Sequence, residues 1–219
     1  MRALSELPKA ASEPADGLVI TRRTLLLGAG SMLLAGCASR QVRLDAVDTV
    51  AADQEASALA LRGFRMRGRV ALSDGEQGGN GRLTWEQSAD RLDVRFSAPL
   101  SQRTWRLERD RLGARMIDDQ GQVSHAGDLQ ELLDRAWGIG VPVDALSYWL
   151  RGSRQPGSGR VSLDQQARLQ QLQQSDWTVD YLRWQEAADG LPTLPTKVYA
   201  SSGKRWVRVV VQRWQGLDD

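Results

Sequence analysis

The sequence predicts a mainly β domain: an antiparallel meander forming a sandwich or barrel, with two short helices covering an open end or face of it. Short segments that alternate apolar and polar residues recur about every 8–12 residues with turn-forming residues between them, which is the pattern of a many-stranded antiparallel sheet. That alternation breaks once, over residues 127–152, where the apolar spacing becomes helical. The chain has 219 residues, 41% hydrophobic and 26% charged, an ordinary globular composition long enough for one domain with a single large core.

From about Arg40 to Ala60 the chain is rich in Ala, Asp, Gln and Glu, with Val47, Val50, Leu59 and Leu61 on a loose helical period. This reads as a tether followed by one surface helix. "FRMRGRVALS" then places Phe64, Met66, Gly68, Val70 and Leu72 on one face and Arg65, Arg67 and Arg69 on the other, the signature of a half-buried strand. Ser73–Gly81 reads as a flexible hairpin loop. Strands follow around Leu83 and Trp85, around Leu92, Val94 and Phe96, and around Trp105 and Leu107, continuing through "RLGARMID" and "GQVSH". Leu129, Leu132, Leu133, Ala136 and Trp137 form a helical stripe that Gly138 stops. A second short helix starts near Pro142, turns Leu146, Trp149 and Leu150 inward, and ends at Gly152.

"SRQPGSG" is a loop. "DQQARLQQLQQSD" favours helix by propensity, yet strands bracket it and it is placed in the sheet. "WTVDYLRW" alternates as a strand, "LPTLP" (Leu191–Pro195) breaks structure, and "TKVYA" pairs with "RWVRVVVQRW" through the turn "SSGK". Large side chains on both faces of Arg205–Trp214 predict a central strand.

The front of the chain is a secretion signal. Arg22 and Arg23 precede an apolar run from Leu25 to Ala35, too short for a membrane-spanning helix and suited to a signal core. The run ends in Leu34-Ala35-Gly36-Cys37, and Cys37 is the only cysteine. This resembles the bacterial lipobox, which implies cleavage before Cys37, a diacylglyceryl thioether on its sulfur and acylation of the new amino terminus. Ala38 follows, where Asp marks retention at the inner membrane in similar lipoproteins; the outer membrane is therefore expected. "TRRTLLL" leaves both the general and the twin-arginine export routes open, and a start near Val19 is an alternative to Met1. Domain organisation is thus a signal peptide over 1–36, a lipidated tether and helix over 37–60, and a β-barrel domain over 61–219 with its helical lid around 127–152.

Composition and motifs argue against several function classes. A formal net charge of +2 makes no electrostatic case for nucleic acid. With one His, His125, and its sole cysteine committed to the anchor, the chain lacks the usual ligands of a metal site. There is no phosphate-binding glycine loop and no nucleophile elbow. Asp118-Asp119 reads as a solvated turn. Eight Trp against two Phe suit a large core, a lipid-lined pocket or a membrane interface. In "FSAPLSQRTW", Leu100 stands at a turn after Pro99, where a polar residue is favoured; it either folds back as a core anchor or contacts something apolar outside the protein.

The lipobox, "RGRVAL", Trp85, "APL" at Ala98–Leu100, "GDLQELL", "GVPVDALSYWLRG", "DWTVDYLRW", Leu191-Pro192 and Trp214 together resemble the LolB family of outer-membrane lipoprotein receptors across the mature chain. The resemblance implies an unclosed antiparallel β-barrel of the LolA/LolB kind, with short α-helices as a lid over a hydrophobic cavity. It implies no enzyme activity and no cofactor beyond the N-acyl and S-diacylglycerol lipid on Cys37. The implied activity is to accept lipoproteins from a soluble periplasmic carrier of the LolA type and insert them into the inner leaflet of the outer membrane, without ATP. The protein would be a lipid-anchored monomer facing the periplasm.

By alternation, Met66, Val70, Leu83, Trp85, Leu92, Val94 and Trp105 point inward, joined by Leu133, Leu146, Trp149 and Leu150 from the helices. A packed core and a cavity lining explain these residues equally well; the resemblance favours the lining. It also implies that Leu100, presented by Pro99, is the loop residue that promotes insertion. The family often has Gly after that leucine, where this chain has Ser101. Arg65, Arg67 and Arg69 form either a solvated strand face or a basic face for an acidic carrier.

Overall fold

The computed structural model describes residues 49–99, 103–138 and 140–217. Cys37, Ala38, Leu100 and Ser101 lie outside them.

Alternation becomes pairing along the whole chain. The strands are β1 (Phe64–Ser73), β2 (Gly78–Gln87), β3 (Leu92–Ala98), β4 (Arg103–Asp110), β5 (Gly113–Ile117), β6 (Val123–Ala126), β7 (Arg160–Leu163), β8 (Leu169–Gln174), β9 (Trp177–Gln185), β10 (Leu194–Ser202) and β11 (Arg205–Gly216). They form one antiparallel sheet in the order β6-β5-β4-β3-β2-β1-β11-β10-β9-β8-β7. The end strands β6 and β7 do not pair with each other, so the barrel is unclosed. Between those two edges the chain runs through helices α2 (Leu129–Trp137) and α3 (Val143–Trp149). Helix α1 (49–60) precedes β1.

β11 lies between β1 and β10, as its two large-residue faces predict. The β1–β11 seam joins the two ends of the chain and carries an irregularity: Gly68 pairs with Val211 but Arg67 with Arg213. A methyl group on Gly68 would stand 2.3 Å from the Val210 carbonyl oxygen, so this close approach of strands needs glycine.

Three elements differ from expectation. The first hairpin loop is only Asp74–Gln77, closed by the Asp74 carboxylate accepting the Glu76 and Gln77 N–H groups at 2.9 and 2.8 Å; the glycines after it belong to β2. They are there for space: a methyl on Gly81 would meet the Ser97 carbonyl at 2.4 Å and the Phe96 ring at 2.8 Å. β7 had no alternation strong enough to announce it. β10 begins at Leu194-Pro195 within the expected breaker, and the ladder shifts register there.

α1 buries Ala51, Glu55 and Ala58, while Val50 and Leu59 are exposed. Small side chains let this helix approach closely, and hydrophobicity does not report that. Glu55 forms a forked pair with the Arg154 guanidinium, at 2.9–3.1 Å, and also accepts the Arg154 N–H at 3.1 Å. α2 is capped by Asp128, whose carboxylate accepts the Glu131 N–H at 2.8 Å, and ends at Gly138 in the left-handed conformation (φ 62°).

Trp149, Trp177 and Trp214 are structural. Trp214 packs obliquely against Phe64 (5.4 Å) and Trp149 against Trp177 (5.8 Å). Their indole N–H groups donate inside the core, Trp214 to the Pro195 carbonyl (2.9 Å) and Trp149 to Gln174 (3.1 Å), as buried tryptophan requires.

On the outer face of β1–β5 the register sets Glu86, Asp93 and Glu108 in a row, with Arg65 and Arg115 at its two ends and Arg95 and Arg106 beside it. Arg65 pairs with Glu86 at 2.7 Å, and Arg106 with both Asp93 (2.5 Å) and Glu108 (2.7 Å). Burial works against the Asp93 charge, but the Arg106 hydrogen bonds and the charges of Arg106, Arg95 and Arg91 outweigh it, holding the carboxyl below its ordinary value. A carboxylate depressed on folding adds stability above its unfolded pKa of about 3.9, and that stability is lost as pH falls through the lower folded value. Urea midpoints should therefore hold from pH 7 to about 5 and fall below about 4. Asp93→Asn should be less stable at neutral pH and show a shallower acid decline.

Candidate binding cavity

The inward faces of β1–β4 and β11 enclose a cavity of about 360 Å³ beneath α2 and α3. Alternation sends every second residue of these strands inward, and the helical stripes supply the roof. Of the side chains the sequence singled out, Val70, Leu83, Trp85, Val94 and Trp105 line the cavity from the strands, and Leu133, Leu146 and Leu150 from the helices. Met66, Leu92 and Trp149 are fully buried but do not line it. Met66 lies on β1 two inward positions before Val70, opposite Trp85 and Trp214. Leu92 pairs with Gln87 and Arg109 at the same far end, and Trp149 is spent on Trp177 and Gln174.

Sequence reasoning missed Leu107, Val207 and Val209 as lining, although each lies on an alternating strand. The signal was present; what it lacked was which inward residues meet a void and which meet one another.

The mouth lies at one end of the sheet. Leu72, Gln77, Gly78 and Gly79 form one lip, Phe96, Arg103 and Trp105 another, and Ala136, Gly140 and Val141 the helical side. Phe96 and Trp105 stack there at 5.5 Å, both half-buried. β3 ends at Ala98 and β4 starts at Arg103 at this rim, and Pro99 is exposed.

Polar contacts tie the roof to the sheet at several points, among them the Trp149 indole on Gln174 (3.1 Å). Arg205 donates to the Gly140 carbonyl at 3.3 Å, and Gln130 accepts the Val143 N–H at 3.3 Å. Arg109 pairs with Asp144.

This lining is a container without reagents. Among the described residues its only ionisable side chain is Arg103, 3.7 Å from Asp119. Among the described residues no group of three His, Cys, Asp or Glu could hold a metal. His125 is exposed on the edge strand β6. Asp118 accepts the Gln120 and Gln122 N–H groups within its own turn. Tyr181 is buried without a hydrogen-bond partner for its hydroxyl, and burial pushes its pKa up.

The family model described as Outer membrane lipoprotein LolB matches residues 62–214, which is every strand from β1 to all but the end of β11 and both roof helices. The chain belongs to the LolB family. An outer-membrane lipoprotein LolB of Xanthomonas campestris pv. campestris (strain B100) is 37% identical over 155 residues, covering 69% of this chain and 71% of that one. The LolB of Azoarcus sp. (strain BH72) is 33% identical over 154 residues, covering 70% and 79%. Among solved structures, a LolA superfamily protein from Nitrosomonas europaea has a TM-score of 0.51 at 10% identity, covering 79% of this chain and 94% of that one; it shares the fold. LolB membership makes this an outer-membrane receptor of lipoprotein localisation, not an enzyme, and one that works without a cofactor. No helix among the described residues is long and apolar enough to cross a membrane.

Proposed function

We propose that the cavity receives the acyl chains of a lipoprotein from a soluble periplasmic LolA-type carrier and releases them into the inner leaflet of the outer membrane. The observation that carries this reading is the 360 Å³ apolar cavity, open at the rim where β3 ends and β4 starts. Acyl chains in water would cost tens of kcal/mol at about 0.8 kcal/mol per CH₂, so passage from cavity to cavity is the workable route. With no ATP site, direction follows relative affinity: this cavity holds cargo more tightly than the carrier and less tightly than the bilayer.

The cavity is at the small end of the roughly 300–1,000 Å³ range of ligand pockets. A cargo with several chains needs the roof to open, and α2, whose side-chain hydrogen bonds among the described residues stay within the roof, is the part that moves, while Trp149 keeps α3 on the sheet. Cys37, lipidated, anchors the protein, and its several acyl chains make attachment effectively permanent. Pro99 stiffens the loop, and Leu100 inserts at the bilayer surface; one Leu contributes about 1.5–3 kcal/mol, enough to orient an already tethered domain.

Incubating a cargo-loaded carrier with the protein and liposomes tests the handover; cargo that stays on the carrier refutes it. In the same assay Leu100→Glu should take cargo normally and deliver it at least tenfold more slowly. Unchanged delivery would mean that Leu100 is not the inserting residue.

A further inference from the structure

The outer face of the central strands gathers cations that have no carboxylate partner among the described residues. Arg67 and Arg69 on β1, Arg82 on β2, Arg208 and Arg213 on β11 are all exposed, and Lys197 on β10 continues the same run opposite Arg183 of β9. Like charges face each other across the ladder: Arg69 opposite Arg82, Arg67 opposite Arg213, Lys197 opposite Arg183. Such pairs work against folding. Among the described residues no carboxylate comes within 4.0 Å of any of the seven. Arg65, their neighbour, is paired with Glu86, and Asp180 of β9 is held by the Gln171 amide at 2.8 Å. In a chain with a net charge of only +2, this is segregation of charge.

Two aromatic side chains belong to the same face. Trp206 and Tyr199, both half-buried, lie 6.2 Å apart, with the Arg208 guanidinium over each ring at 5.8 and 5.3 Å. Trp206 pairs with Ser73, and Ser73 with Gly78, so this patch reaches the rim of the cavity mouth.

We infer that this arginine-rich outer face, ending in Trp206 and Tyr199, docks on the anionic phospholipid headgroups of the membrane that holds the protein. Several spread cations with interfacial aromatics suit a continuous anionic surface. A family whose members reside at the outer membrane keeps such a surface within reach. An acidic protein carrier fits the geometry poorly. Val70 and Val209, which line the cavity, point to the opposite side of the sheet from Arg69 and Arg208. A carrier on the arginine face would have the whole sheet between its cargo and the cavity. A membrane there instead meets the rim through Trp206, which reaches it by way of Ser73 and Gly78. The inference rests on the membrane location of the family and uses the handover reading only for the consequence of docking.

The test uses the full lipidated chain reconstituted in vesicles of phosphatidylcholine, alone or mixed with phosphatidylglycerol. A fluorophore on Gln212→Cys, an exposed position of β11, reports contact through a headgroup-attached quencher. Quenching should rise at least tenfold with phosphatidylglycerol, collapse in high salt, and be lost in Arg69→Gln/Arg82→Gln/Arg208→Gln. Equal quenching on both vesicle types overturns the inference, and the unaltered chain alone decides this. So does a triple variant that is quenched normally but no longer takes cargo from the carrier, since that identifies a protein partner. Cargo delivery followed in the same vesicles separates the two readings: normal lipid-dependent quenching with no delivery refutes the handover alone, and delivery without it refutes the docking alone.

Discussion

Val94→Trp should leave the sheet folded and reduce cargo uptake from the carrier at least tenfold. Val94 sits in the middle of β3, between Trp85 of β2 and Leu107 of β4, with its side chain lining the cavity. An indole there fills space that is empty, so the strain is limited. Overpacking a core costs about 1–3 kcal/mol, which for a domain of this size lowers Tm by at most about 10 °C. The measurement is a pair: thermal unfolding by circular dichroism, and transfer of labelled lipoprotein from carrier to this protein without membranes. A folded variant that accepts cargo as the parent does would show that the cavity is not the acyl-chain site. Leu92→Ala is the contrasting change. Leu92 is fully buried but lies outside the cavity, so its loss should cost about 2–5 kcal/mol and leave uptake by the remaining folded molecules unaltered.

Gly68→Ala should be the most damaging single-methyl change in the β-sheet. The new Cβ would lie 2.3 Å from the Val210 carbonyl oxygen and 3.1 Å from the Val211 Cα, all backbone of the paired strand. No side-chain rotation relieves that contact, so β1 and β11 must separate at the seam that joins the two halves of the sheet. The expected cost exceeds about 3 kcal/mol, a large part of the roughly 5–15 kcal/mol that keeps a domain folded. Gly79→Ala is the control. Its Cβ would meet nothing within 4 Å, and its urea midpoint should match the parent's within about 0.5 kcal/mol. Equal midpoints for the two variants would contradict the close packing of this seam.

Much of the fold was legible because one face of most strands is apolar and the other charged. "FRMRGRVALS" and "WTVDYLRW" read directly as β1 and β9, and the helical stripe from Leu129 read as α2 with its glycine stop. The glycines after Gln77 read as loop because sequence cannot distinguish glycine used for freedom from glycine used for room; at Gly81 the neighbouring Phe96 ring decides. α1 falls within the stretch where one surface helix is expected, but its buried stripe is two alanines and a paired glutamate, while Val50 and Leu59 are exposed. Alternation found which side chains point inward. It could not separate Val94, which lines the cavity, from Met66 or Leu92, which are buried without lining it, because that difference depends on which side chains the neighbouring strands and helices bring against each. The arginine face needed the register: Arg67 and Arg69 are visible in sequence, but Arg82, Arg208, Arg213 and Lys197 join them only across the ladder.

The most direct measurement is a photocrosslink from inside the cavity during transfer. A photoreactive amino acid at Leu83, on β2 and lining the cavity, is compared with one at Leu182, an exposed residue of β9, while cargo with labelled acyl chains is handed over by the carrier. The label should crosslink to position 83 after cargo arrives, disappear from it when liposomes are added, and never reach position 182. Transfer to liposomes with no crosslink at position 83 would contradict passage through the cavity.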